Sequence, residues 1–143
     1  MGNINIGRWI IGGVLAGVII FIVDGVLNGI ILADQWAEAM TALGKTAPGQ
    51  TAGELVGFLV FSLVVGLVAL WIYAGIRPRF GSGVTTAVYA GIATWLLTNA
   101  VPNAFVLTVG LFPAGLIWTV IIVGAVQMVI ASVAGAYLYQ EDS

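Results

Sequence analysis

The sequence predicts an all-α membrane protein, with four transmembrane helices in a compact bundle. Three observations carry that expectation. The 143 residues are 61% hydrophobic and only 7% charged, whereas a soluble domain carries roughly 25% charged residues. Four basic and six acidic side chains are too few to coat a surface that faces water, so the surface must face lipid. Apolar residues also gather in four long blocks, at 9–32, 55–76, 84–107 and 116–138. A bilayer-spanning helix needs about 20 mostly apolar residues. The short alternating segments of a membrane barrel are missing, and in lipid only a helix or a closed barrel satisfies the backbone.

The expected organisation is a single transmembrane domain over residues 1–143. Its helices are expected at about 8–32, 54–76, 84–107 and 113–139. The first block is too long for the apolar core of a signal peptide and is followed by no A-x-A site, so it is read as a retained span. Arg8 precedes the first helix, and Arg77 and Arg79 lie between the second and third. Acidic Asp34, Glu38 and Glu54 outnumber Lys45 in the first connection. Basic residues favour the cytoplasmic side, so both termini and the Arg77-Pro78-Arg79 loop are expected inside.

Residues 32–44 form an amphipathic helical extension. Leu32, Trp36, Ala39, Met40 and Leu43 recur at helical spacing, while Asp34, Glu38 and Thr41 fall elsewhere on the wheel. Gly44 ends the helix. With no breaker before it, the segment is expected to continue the first helix; the alternative is a helix lying in the interface, anchored by Trp36. Residues 45–53 then form a loop, and Thr51 and Glu54 have the spacing of a capping box for the second span.

A weak internal repeat accompanies this pattern. Ala16-Gly17-Val18 matches Ala90-Gly91-Ile92, and Trp71-Ile72-Tyr73 matches Tyr137-Leu138-Tyr139. Such repeats suggest two helical hairpins set in parallel; chance similarity between apolar helices is the competing explanation.

Asp24 is the only ionisable acid or base inside the four blocks. A carboxylate in mid-membrane costs at least about 2.5 kcal/mol, so it is rarely placed without a partner or a purpose. Gly13, Gly17, Asp24 and Asn28 fall within about 60° of one another on a helical wheel. Small residues let a neighbouring helix approach, so this stripe is expected to face protein. Thr98, Asn99 and Asn103 on the third helix should lie at similar depth. Pro102 there lacks an N–H and clashes with the Thr98 carbonyl, which kinks the helix. On the fourth helix Gln127 shares a stripe with Val120, Gly124, Ala131 and Ala134, and on the second Ser62 shares one with Gly66, Ala69 and Tyr73. The candidate intramembrane polar site is therefore Asp24, Asn28, Thr98, Asn99, Asn103 and Gln127. It reads either as a proton or cation site or as hydrogen-bonded glue worth roughly 0.6 kcal/mol per bond.

Gly13, Gly17, Gly66 and Gly124 are expected at helix contacts. Gly25-x-x-x-Gly29 occupies another face of the first helix and suits a partner chain. Trp9, Trp71, Tyr73, Tyr137 and Tyr139 near one end, with Trp95 and Trp118 nearer the other, fit the aromatic belts of the two interfaces.

Cysteine and histidine are absent. Thiolate and imidazole chemistry, and the metal sites built on them, are thereby excluded. No nucleophile–base pair can be drawn, so no catalytic residue, metal or cofactor is expected and the chain reads as a non-enzyme. A formal net charge of −2 gives no basis for binding nucleic acid.

At Leu32-Ala33-Asp34-Gln35-Trp36, at Arg77-Pro78-Arg79-Phe80-Gly81 and at the following Gly83 and Thr86-Ala87, the chain resembles a group of small bacterial four-helix membrane proteins with no assigned function. The resemblance extends over nearly the whole chain. It implies a bacterial inner-membrane location, supplies no activity and carries over no functional residue.

The function expected first is non-enzymatic: self-association, or service as a small subunit of a larger membrane assembly, with lipids as the other partners. The alternative is a small oligomeric transporter or channel in which Asp24 is the proton- or cation-sensitive group.

Overall fold

The computed structural model describes residues 3–140; the first two and last three positions of the expected domain lie outside them. Helix α1 (Ile6–Val26) runs into a π turn (Leu27–Ile31) and then, after Leu32, into α2 (Ala33–Ala42). Helix α3 spans Ala52–Phe80. Helix α4 (Val84–Trp95) passes through a second π turn (Leu96–Ala100) into α5 (Val101–Val109), and α6 spans Ala114–Leu138. Four helical stretches are long and apolar enough to cross a membrane: Ile6–Ile31, Ala52–Phe80, Val84–Val109 and Ala114–Leu138. The outside of the bundle is apolar, with Ile30, Phe61, Leu97, Phe105 and Ile122 all more than 60% exposed. Such a surface belongs in lipid.

Local signals explain most boundaries. The Asn5 side chain accepts from the Arg8 N–H at 3.0 Å and starts α1. The expected capping box is formed: Glu54 N–H donates to Thr51 Oγ1 at 3.2 Å, and Glu54 Oε2 accepts from Thr51 N–H at 3.3 Å. At Gly44 (φ +70°), Lys45 N–H donates to the Met40 carbonyl and Gly44 N–H to that of Thr41. This is the left-handed helix stop that favours glycine, and Gly110 (φ +65°) repeats it with Leu111 and Val106.

Two expected boundaries differ. The second span does not stop before Arg77 but continues through Pro78 to Phe80. Proline's fixed φ suits a helix, and one lost donor at the last turn is tolerated. The turn is held by Phe80, whose ring meets Tyr89 edge-on at 5.7 Å, and by Thr86 Oγ1 donating to the Gly81 carbonyl at 2.7 Å. The other difference is at Leu32, which leaves helical geometry (φ −102°, ψ 9°), so α2 is not a straight continuation of α1. Leu32, Trp36 and Ala39 pack with Leu27, Phe112 and Leu116 instead. The apolar stripe of α2 thus closes one end of the bundle over the first and fourth spans.

Glycine sets the closest helix approaches. A Cβ on Gly17 would lie 2.6 Å from Leu63 Cα and 2.8 Å from the Ser62 carbonyl oxygen. A Cβ on Gly12 would meet the Gly135 carbonyl oxygen at 2.6 Å, and one on Gly135 would meet that of Gly12 at the same distance. Gly13 and Gly66 lie against Leu67 and Gly17 respectively. No side chain can be inserted at such crossings without separating the helices. Around them the core is small: Ala16, Ala69, Leu70, Ala87, Ala90 and Ala131 are fully buried.

The repeat seen in sequence recurs as packing. In the register that pairs Gly17 with Gly91, Gly17 abuts Leu63 and Gly91 abuts Val129. The register pairing Trp71 with Tyr137 makes Leu63 and Val129 equivalent too. Ala16 and Ala90, equivalent again, are both fully buried. Equivalent Tyr73 and Tyr139 meet edge-to-face at 5.8 Å. These equivalent contacts match the pairing that two helical hairpins in parallel repeat call for.

Candidate functional site

Asp24 lies one turn before the π turn of the first span, and its carboxyl turns toward α6. Gln127 Nε2 donates to Asp24 Oδ1 at 3.1 Å, joining residues 103 positions apart. Gln127 is 3% exposed. Asp24 is half-buried. The two helices that carry the link approach each other at Gly12 and Gly135, whereas Gly17 faces α3 and Gly124 faces Asn99.

The third span contributes Asn99. A Cβ on Gly124 would fall 2.6–2.9 Å from the Asn99 amide atoms, so the Asn99 side chain occupies the space that glycine leaves on α6. Gly124 and Gln127 are one turn apart on the same face. Three polar side chains from three spans are therefore gathered about one stripe of α6. Two of their oxygens, Gln127 Oε1 and Asn99 Oδ1, are buried and accept no hydrogen bond. A buried acceptor left unsatisfied costs about 1–3 kcal/mol.

The remaining candidates are placed elsewhere. Asn28 Oδ1 accepts from Trp36 Nε1 at 2.9 Å and ties α2 back to α1. Thr98 Oγ1 donates to the Thr94 carbonyl of its own helix and is exposed. Asn103 Nδ2 donates to the Asn99 carbonyl at 2.9 Å, supplying a side-chain donor beside Pro102, which has none to give. Pro102 follows the π turn after Val101, whose N–H reaches back to the Leu96 carbonyl. The wider turn moves backbone away from the ring clash that a proline forces in a regular helix. π turns thus interrupt both the first and third spans beside the polar groups.

The glycine assignments divide in the same way. Gly13, Gly17, Gly66 and Gly124 all sit at contacts. Gly25 and Gly29 are exposed, and a Cβ on either would meet nothing within 4 Å. Among the described residues they pack against no helix, because that face of the first span points away from the bundle.

At the end carrying the arginines, Trp9 and Trp71 meet edge-on at 5.3 Å and Arg77 stacks over the Tyr139 ring at 5.5 Å. Arg8 and Arg79 are exposed. Two tryptophans act inside the bundle. Trp9 Nε1 donates to the Leu67 carbonyl at 2.8 Å, and Trp95 Nε1 donates to that of Ile121 at 2.9 Å. For Trp95 this replaces the expected interface-belt role, because a helix carbonyl retains a second lone pair that an indole can use. Trp118 is 54% exposed. The Gly12–Gly135 crossing and the Trp36–Asn28 bond had no sequence signal, since both depend on how helices meet.

No family model, no curated protein and no solved structure matches this chain.

Proposed function

We propose that this multi-pass membrane protein handles a small cation, a proton or a metal ion, at the intramembrane site of Asp24, Gln127 and Asn99, as a small transporter or channel. The observation that supports this most is the Gln127–Asp24 hydrogen bond in the company of two buried, unpartnered amide oxygens. Interhelical glue needs its bonds made, because unsatisfied groups are what it exists to avoid. A carboxyl held among spare acceptors instead favours a species that brings positive charge or hydrogen-bond donors. π turns in two spans beside it are a common companion of functional sites. The location proposed is a bacterial inner membrane, which the resemblance implies, with both termini cytoplasmic, from the Arg8, Arg77 and Arg79 bias.

The test is reconstitution in liposomes with a pH-sensitive dye under imposed ion gradients. Wild-type protein should pass current or protons, and Asp24→Asn, which cannot titrate, should abolish the flux while keeping assembly. No wild-type flux with any common cation removes this reading.

The second reading is lateral association, with copies of the chain or with another membrane subunit. Its support is the third span: 6% of its most apolar stretch is buried in the chain, against 44% for the fourth. Exposed Thr98 on that span and open Gly25 and Gly29 on the first are polar or small positions facing outward, as helix partners favour. Native mass spectrometry from mild detergent tests it, and a strictly monomeric species excludes self-association.

A further inference from the structure

From the oxygen atoms at this site we infer that its ligand is an alkali-metal cation, held by the Asp24 carboxylate, Gln127 Oε1 and Asn99 Oδ1. The inference rests on the reading of Asp24 as the centre of a cation site and names the ion class.

The two unpartnered atoms are both carbonyl-type oxygens. The Gln127 amide nitrogen is already engaged with Asp24 Oδ1, which directs its oxygen to remain the free end. The set is thus one carboxylate and two amide oxygens, all hard ligands, with one formal negative charge among them. Divalent ions take more carboxylates or substrate phosphates, and among the described residues no group of three His, Cys, Asp or Glu side chains could hold a metal ion. A monovalent ion balances the single charge and gives both orphaned oxygens a partner. An uncompensated carboxylate in a bilayer is costly, and a bound cation offsets that cost.

The measurement is thermal unfolding of the full chain in detergent, at fixed pH and ionic strength. NaCl, KCl and LiCl are compared with choline chloride, whose cation is too large for the site. At least one alkali ion should raise the wild-type Tm by about 3 °C or more, and the rise should saturate with concentration. In Asp24→Asn the rise should vanish, and in Gln127→Leu and Asn99→Ala it should need at least tenfold more salt. Sodium-23 line broadening on the wild type alone, reversed by excess potassium but not by excess choline, reports the same binding without any variant. A wild-type Tm independent of the cation, with no line broadening, overturns the inference. So does an alkali response that survives in Asp24→Asn, or one that needs no more salt in both amide variants. Proton flux through Asp24 with no alkali binding overturns the ion class while leaving the transporter reading standing. Absence of both flux and binding removes the two together.

Discussion

Replacing Gly17 with alanine, and Gly25 with alanine as its control, separates the buried and open faces of the first span. At Gly17 the new Cβ would stand 2.6 Å from Leu63 Cα and 2.8 Å from the Ser62 oxygen, where ordinary contact begins at 3.4 Å. The helices must therefore part by about 0.8 Å at that crossing, and both obstacles are backbone or attached to it, so no side chain can swing aside. Overpacking of this kind costs about 1–3 kcal/mol. At Gly25 the same methyl meets nothing within 4 Å. Both substitutions gain the same helix propensity, up to about 1 kcal/mol, so their difference isolates the packing cost. Thermal unfolding by circular dichroism in one detergent should place Gly17→Ala about 3–10 °C below Gly25→Ala. The larger Gly17→Leu should likewise fall well below Val18→Leu, since Val18 is 37% exposed. Equal melting of Gly17→Ala and Gly25→Ala would show that the first and second spans do not cross at Gly17.

Three further outcomes are expected. Single cysteines at Gly49 and Gly81, in the two connections at opposite ends of the bundle, should react with impermeant maleimide from opposite sides of the membrane, Gly49 from outside; labelling of both from one side refutes the four-span topology. Trp36→Phe keeps an aromatic ring toward Phe112, which the indole meets at 5.3 Å, but loses the hydrogen bond to Asn28. It should cost about 0.5–1.5 kcal/mol and speed proteolysis between residues 44 and 51; an unchanged cleavage rate would show that the bond does not hold α2 in place. Gly124→Ala pushes against the Asn99 amide, the end of a flexible side chain, so its Tm loss should be less than half that of Gly17→Ala. A loss as large as at Gly17 would mean that Asn99 is locked and cannot give way.

Much of this molecule was legible in one dimension because lipid leaves so few choices. A segment with no water around its backbone must close its own hydrogen bonds, so the apolar blocks alone determined four helices. Residue chemistry determined the ends as well: Thr51 and Glu54 cap one helix, and Gly44 and Gly110 stop two others through backbone conformations that glycine adopts freely. The stripes of Gly13 and Gly17, of Ser62 and Gly66, and of Gly124 and Gln127 follow from helical periodicity, and all six residues are buried. Periodicity says which residues share a face but not which faces meet. Only the tertiary structure decided that Asp24 bonds Gln127 and not the third span, that Asn99 seats on Gly124, and that Asn28 is taken by Trp36. The same holds for the open face at Gly25 and Gly29 and for the bend at Leu32. Each depends on contacts between residues distant in the chain. In an apolar bundle such pairings are set by the fit of small residues between helices, a three-dimensional property that composition and spacing do not contain.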